Sequence, residues 1–372
     1  MNVVSNILAT DWKNYVMLLV GLLLIYLAIK KEMEPTLLLP MGFGAILVNL
    51  PGSVIAEGSG ILAWLFEVGI ETAEVFPLLL FIGIGAMIDF GPVLSKPWLI
   101  FIGAAGQGGI FISMILASAL GFPVNDAASI GIIGAADGPT AILVSQQLHS
   151  NYIAAILVVA YCYMALVPII QPAVLKATTT KKERRIRMHY SPSSVSKVTR
   201  ILFPIITTMV CATIAPDSAA LVGMLMFGNL LRECGVLDSL SRAAQDILSP
   251  CISLLLGLAV APRMSGQELI QFETIMIMCF GLVAFIFDTA CGVFFCKIIN
   301  LFRREGQKIN PLIGGAGISA FPMSARVVQK VGIEADKQNH LLPFALGANV
   351  SGQIGSVLAG GLLLSLVLPL VG

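Results

Sequence analysis

The chain has 372 residues, of which 57% are hydrophobic and only 12% charged, with a formal net charge of +1. Soluble globular proteins carry roughly 25% charged residues, so lipid is the main solvent for this chain. Its near-neutral balance excludes a global basic or acidic field that would gather nucleic acid or an acidic substrate.

A spanning helix needs about 20 mostly apolar residues, and the apolar runs suffice for about ten or eleven membrane segments. The first, Tyr15 to Ile29, ends in Lys30-Lys31 and lacks a small-residue cleavage site, so it is expected to remain as a helix. Leu37 to Leu50 follows. Between Pro51 and Val75 the apolar Trp64, Leu65 and Phe66 sit among Glu57, Glu67, Glu71 and Glu74. That mixture predicts an amphipathic or re-entrant piece at the interface. Apolar segments then run over Pro77–Phe90, Trp98–Leu120, Ala127–Leu148 and Tyr152–Val174.

The one long polar stretch is Lys176 to Arg200, with eight Lys and Arg against Glu183, an excess of +7. The positive-inside rule places it, and the smaller cluster Arg303, Arg304 and Lys308, in the cytoplasm. The Lys176–Arg200 stretch is expected to be a mobile loop that contacts a partner. Beyond it lie apolar runs at Ile201–Ile214, Ala219–Leu231, Ile252–Val260, Phe272–Phe295, Pro311–Val331 and Leu341–Val371. The expected fold is therefore an all-α polytopic membrane protein. Residues 1–75 form N-terminal helices and an interfacial segment, 76–174 a first transport repeat, 175–200 the basic loop and 201–372 a second transport repeat.

The two halves share a style. GAADGPTAILVSQQL, from Gly134, resembles GAGISAFPMSARVVQKV, from Gly315. Each is an apolar stretch interrupted by Gly and Pro. Paired interrupted helices in two halves point to inverted repeats with a binding site at the breaks. Free backbone groups at membrane depth are tolerated only where they line a polar cavity.

Asp137 is the strongest chemical signal, because a central carboxylate costs on the order of 3 kcal/mol in lipid. Gly138 and Pro139 should open the helix beside it, which suits sodium or a proton; a packed kink with a buried acid is the plainer alternative. Tyr163 is a functional phenol, an interfacial anchor or core filler, and Tyr161 competes with it. Asn310 and Ser319 offer neutral oxygens, and Gly314 lets a backbone carbonyl approach. Arg326 is a fixed cation or a side chain that snorkels to the surface. Asn349 is a helix-packing amide or a sodium ligand. Asp89 suits a helix cap, and Asp288 has no evident role. No phosphate-binding loop, dinucleotide fingerprint or metal-binding histidine pair is present. The seven cysteines lack metal spacing and read as small hydrophobes.

Together GAADGPTAI, AYCYMALVP, FGNLLRECGVLDSLS, NPLIGGAGISAFPMSARV and GANVSGQIGSVLAGG resemble the beta subunits of sodium-translocating biotin-dependent decarboxylases, those acting on oxaloacetate, methylmalonyl-CoA and glutaconyl-CoA. The resemblance runs from about Glu57 to the C-terminus. It implies a multi-pass subunit of the bacterial cytoplasmic (inner) membrane. Such a subunit takes carboxybiotin from a partner, decarboxylates it, and couples CO2 release to Na+ export with proton consumption. The implied partners are a carboxyltransferase alpha subunit, a biotin carrier protein and a small single-span gamma or delta subunit, in a homo-oligomeric assembly. Asp137, Tyr163 and Arg326 are the implied catalytic residues, with Arg326 also meeting carboxybiotin. Asp137, Asn310, Gly314, Ser319 and Asn349 are the expected Na+ ligands. Asp288 and the stretch Ala261–Met264 depart from the family pattern. The rival expectation is a sodium-coupled secondary transporter of a small anion.

Overall fold

The computed structural model describes residues 10–55, 60–72, 74–188 and 195–371, and all regular structure among them is helical. Glu57, His189 and the middle of the basic loop lie outside the described residues. Helix α1 (Trp12–Lys31) carries an Asp11 cap whose side chain accepts from Lys13 N, and it ends in Lys30-Lys31. It packs along α2 (Pro35–Asn49). Helix α3 (Ile61–Phe66) runs into a π turn at Glu67–Glu71, and α4 (Val75–Met87) follows after a 64° bend. The expected interfacial piece is thus a bent helix pair. Arg263, from the unusual Ala261–Met264 turn, anchors it, with Glu71 at 4.0 Å, Glu268 at 3.6 Å and the Phe66 ring at 4.5 Å.

Helices α5 (Leu99–Ala105) and α6 (Gly108–Ala119) are two halves of one span. The next apolar run divides into α7 (Val124–Gly131), a 3-10 turn at Ile132–Ala135, and α8 (Gly138–Gln147). Helix α9 (Ile153–Thr178) bends by 67° between Met164 and Leu166. Pro168 explains the position, since it lacks the N–H that would bond the carbonyl of Met164, four residues earlier.

In the second half come α10 (Lys197–Ile214), α11 (Ala219–Glu233), α12 (Ser249–Val260) and α13 (Phe272–Leu301). A 3-10 segment at Pro311–Gly317 is followed by α14 (Met323–Ala335), and the chain closes with α15 (Leu342–Val371). Among the described residues, six helices are long and apolar enough to cross a membrane, or eight when each bent pair counts as one span. That is fewer than ten or eleven. The difference lies in runs such as α2 and Val124–Ala135, which are apolar but too short to cross alone. The molecule is a multi-pass membrane protein whose α4 packs on α11, α5 on α15, and α13 on both α9 and the Pro311–Gly317 segment.

Candidate functional site

Two chain breaks cross in the protein interior. In the first, Ala136 adopts a left-handed conformation with φ 51° and Asp137 is extended at φ −126°, ψ 93°. A non-glycine residue held left-handed costs about 1–2 kcal/mol, so the surrounding packing must enforce the break. In the second, Ile318 is extended at φ −72°, ψ 153°. The two meet through Ser319, whose backbone N–H donates to Ala135 O at 3.1 Å and whose hydroxyl donates to the same oxygen at 2.8 Å. The stretches from Gly134 and Gly315, paired on sequence style alone, are therefore in direct contact.

Asp137 sits at this crossing, buried, at the N-cap of α8. Its Oδ2 accepts from Thr140 Oγ1 and from Ser356 Oγ on α15, each at 2.7 Å, and the Ser319 hydroxyl lies beside it. None of these partners is cationic. Gly138 is required here for space. A Cβ at that position would run into the ring of Tyr161, which is fully buried against the break with its hydroxyl unpartnered.

Around the second break, four buried carboxamides do the same thing. Gln171 donates to Gly315 O at 2.6 Å, Gln107 to Gly317 O at 3.0 Å, Asn349 to Ile318 O at 2.7 Å, and Gln353 to Ser319 O. These bonds satisfy carbonyls that the absent helix would have used. Each amide oxygen is left buried with no hydrogen-bond partner. Carbonyl oxygens without donors are hard-oxygen ligands of the kind that suit a small cation.

Not every expected site residue joins this crossing. Tyr163 donates its hydroxyl to Met278 O; it is Tyr161, two residues earlier, that packs against the Asp137 break. Asn310 caps the 3-10 segment through Leu312 N at 3.0 Å, and its amide holds Arg184 O at 3.0 Å and Ile186 O at 2.8 Å. Gly314 is pressed against the Gly292 carbonyl of α13, where a Cβ would clash. Arg326 is exposed, one turn into α14 beyond the break. Asp89 caps a short helical turn, accepting from Gly91 N at 2.8 Å. Asp288 caps α6, accepting from Gly109 N and from Ile110 N at 3.3 Å, and its Oδ2 has no partner. That structural use accounts for the acid in α13.

Sequence reasoning missed Thr140, Ser356, Gln353, Gln107 and Gln171. For two of them a signal existed. Asn349, Gln353 and Ser356 follow an i, i+4, i+7 spacing, one face of a helix, inside an otherwise apolar run.

A cavity of 240 Å³ reaches the crossing from one side, lined by Asp137, Ser319, Gln353, Ser249, Ser253 and Glu34 among others. The described part of the basic segment is docked rather than free. A capping box at Thr180 and Glu183 starts a helical turn. Asn310 and Asn339 grip the Arg184 carbonyl, Lys176 meets Glu334 at 2.8 Å, and Arg187 meets Asp336 at 2.6 Å. These contacts tie residues 181–188 to segments flanking the second break.

Comparison with known proteins identifies the family. The Na+-transporting oxaloacetate decarboxylase beta subunit family matches residues 13–367. The chain is 45% identical to the glutaconyl-CoA decarboxylase subunit beta of Acidaminococcus fermentans, over 98% of this chain and 96% of that one. It is 46% identical to the methylmalonyl-CoA decarboxylase subunit beta of Veillonella parvula, covering 98% and 95%. It is 42% identical to the oxaloacetate decarboxylase beta chain of Klebsiella pneumoniae, covering 95% of each. With the match running nearly end to end, the chain belongs to the family of Na+-transporting decarboxylase beta subunits, the membrane subunits of sodium pumps.

Proposed function

We propose that this chain decarboxylates carboxybiotin presented by a partner carrier and uses CO2 release to export Na+ across the bacterial inner membrane, consuming a proton. The observation that carries this reading is the buried Asp137 carboxylate at the crossing of two extended breaks. Its contacts among the described residues are the hydroxyls of Thr140, Ser356 and Ser319, none of them cationic, and Gln353, whose amide oxygen has no donor, lines the same cavity. A carboxylate so placed is costly in lipid unless a cation joins it. Asp137, Ser319 and Asn349 are the proposed ion ligands of this crossing, with Gln353, Thr140 and Ser356 supporting them. Arg326, exposed beyond the break, is suited to meet the carboxylate of carboxybiotin through its planar fork. Tyr163 is the proposed proton-handling group, and Asn310 and Gly314 act by shaping the segment that leads to Ser319.

The breaks belong to two inverted repeats, 76–174 and 201–372, in a chain of ten or eleven membrane segments including short and re-entrant ones. The contact between the paired breaks supports this arrangement. The carboxyltransferase alpha subunit, the biotin carrier and the single-span gamma or delta subunit complete the pump, in an assembly with more than one copy of this chain. Export against about 100 mV costs roughly 2.3 kcal/mol per ion, which decarboxylation must supply by biasing access to the site.

Purified assembly, incubated with Na+ and the acyl substrate, is expected to lose all decarboxylation on addition of avidin, which captures the carrier's biotin. Na+-coupled anion uptake that survives avidin would instead favour the secondary transporter.

A further inference from the structure

The cavity that reaches Asp137 contains a second carboxylate, Glu34. It stands between α1 and α2 in a left-handed conformation, φ 36°, at the N-cap of α2. The left-handed backbone is unfavourable for a side-chain-bearing residue. The turn nevertheless brings Glu34 into the cavity. Besides apolar side chains, the cavity carries the polar Gln245, Ser249 and Ser253 alongside Asp137, Ser319 and Gln353. The Glu34 side chain makes no cap hydrogen bond, so helix capping does not account for it. A positive charge acting on it is Arg326, the exposed guanidinium just past the Ser319 break. Burial raises the carboxyl group's pKa and Arg326 opposes the rise.

We propose that Glu34 is the cation-receiving carboxylate at the mouth of the Asp137 cavity, a residue that draws Na+ in from the side bearing Lys30 and Lys31 and yields it to the crossing. This rests on the Asp137 crossing being the ion site. A negative wall on a low-dielectric cavity concentrates cations by about tenfold or more. The effect is electrostatic and is screened by salt over about 10 Å at 0.1 M.

The test uses the complete assembly carrying Glu34→Gln or Glu34→Asp, with assembly verified by co-purification of all subunits. Sodium-dependent decarboxylation is titrated with NaCl at low ionic strength and again with choline chloride added. The expected result for Glu34→Gln is a half-saturating Na+ concentration raised roughly tenfold, with the rate at saturating Na+ retained. Glu34→Asp should recover most of the affinity. Choline chloride should raise the wild-type value toward that of Glu34→Gln while moving the variant little. A Glu34→Gln assembly with wild-type Na+ dependence at low ionic strength would overturn the proposal, as would a defect equal in Glu34→Asp and unaffected by choline. Asp137→Asn, run in parallel, separates the two ideas: a wild-type response there sinks the ion site itself, whereas loss there with normal Glu34→Gln sinks only the mouth.

Discussion

At the scale of single residues, the site is a carboxylate whose hydrogen-bond partners among the described residues are neutral hydroxyls. Ser356 and Thr140 each donate to the same oxygen, Oδ2 of Asp137. Replacing either by Ala removes one donor to a charged acceptor, worth about 1.5–3 kcal/mol. Ser356→Ala leaves the other donor in place, so the expected outcome is a folded subunit with an altered Na+ requirement, read from the Na+ titration of decarboxylation. Ser319→Ala should act more mildly than loss of the Asp137 charge and should appear as a higher Na+ requirement, because a neutral ligand contributes less than a charged one. Asp137, Ser319 and Asn349 were legible in the sequence because a polar side chain in an apolar run must have a reason. Gln107 and Gln171 were not legible. Their partners, the Gly317 and Gly315 carbonyls, lie 210 and 144 residues away in the chain. The choice between Tyr161 and Tyr163 was equally out of reach, since it depends on which face of α9 meets Gly138.

At the scale of elements, the breaks need small residues as much as polar ones. Gly292 and Gly314 bring α13 and the Pro311–Gly317 segment together backbone to backbone. Gly292→Ala would drive a methyl into the Gly314 carbonyl. Overpacking of this sort costs typically 1–3 kcal/mol, so the variant should unfold at lower temperature in detergent than the wild type. Gly138→Ala should do likewise through the Tyr161 ring. A second element-scale expectation concerns the docked basic turn. The Arg187–Asp336 pair is exposed and screened by solvent, so the buried amides of Asn310 and Asn339, which hold the Arg184 carbonyl, are expected to matter more. Asn310→Ala should therefore speed proteolysis at residues 181–188, and Asp336→Asn should change it little. Gly and Pro in the sequence marked where the helices would break. They did not show that the two breaks would pair, or that the basic segment would dock on the segments flanking one of them.

At the scale of the whole molecule, the chain is two interrupted helices crossing inside a scaffold of apolar helices. Lys30, Lys31 and the Lys176–Arg200 segment should share the cytoplasmic side; a thiol introduced by Lys182→Cys should react with an impermeant reagent only from that side. The composition and the long apolar runs made the all-helical membrane fold legible. The span count was less so, because a short apolar helix and half of a broken span look alike in a linear sequence. A cation that binds only the folded chain stabilises it, by about 2.7 kcal/mol at a hundredfold excess over its dissociation constant, so Na+ should raise the melting temperature of the wild type and not that of Asp137→Asn. The most direct test of the central claim is to reconstitute the complete assembly in proteoliposomes and follow radiolabelled Na+ movement and decarboxylation together for wild type and Asp137→Asn. The wild type should move Na+ as it decarboxylates, and an assembled Asp137→Asn complex should do neither. Normal Na+ movement and a normal decarboxylation rate in that variant would contradict the assignment of the crossing as the ion site.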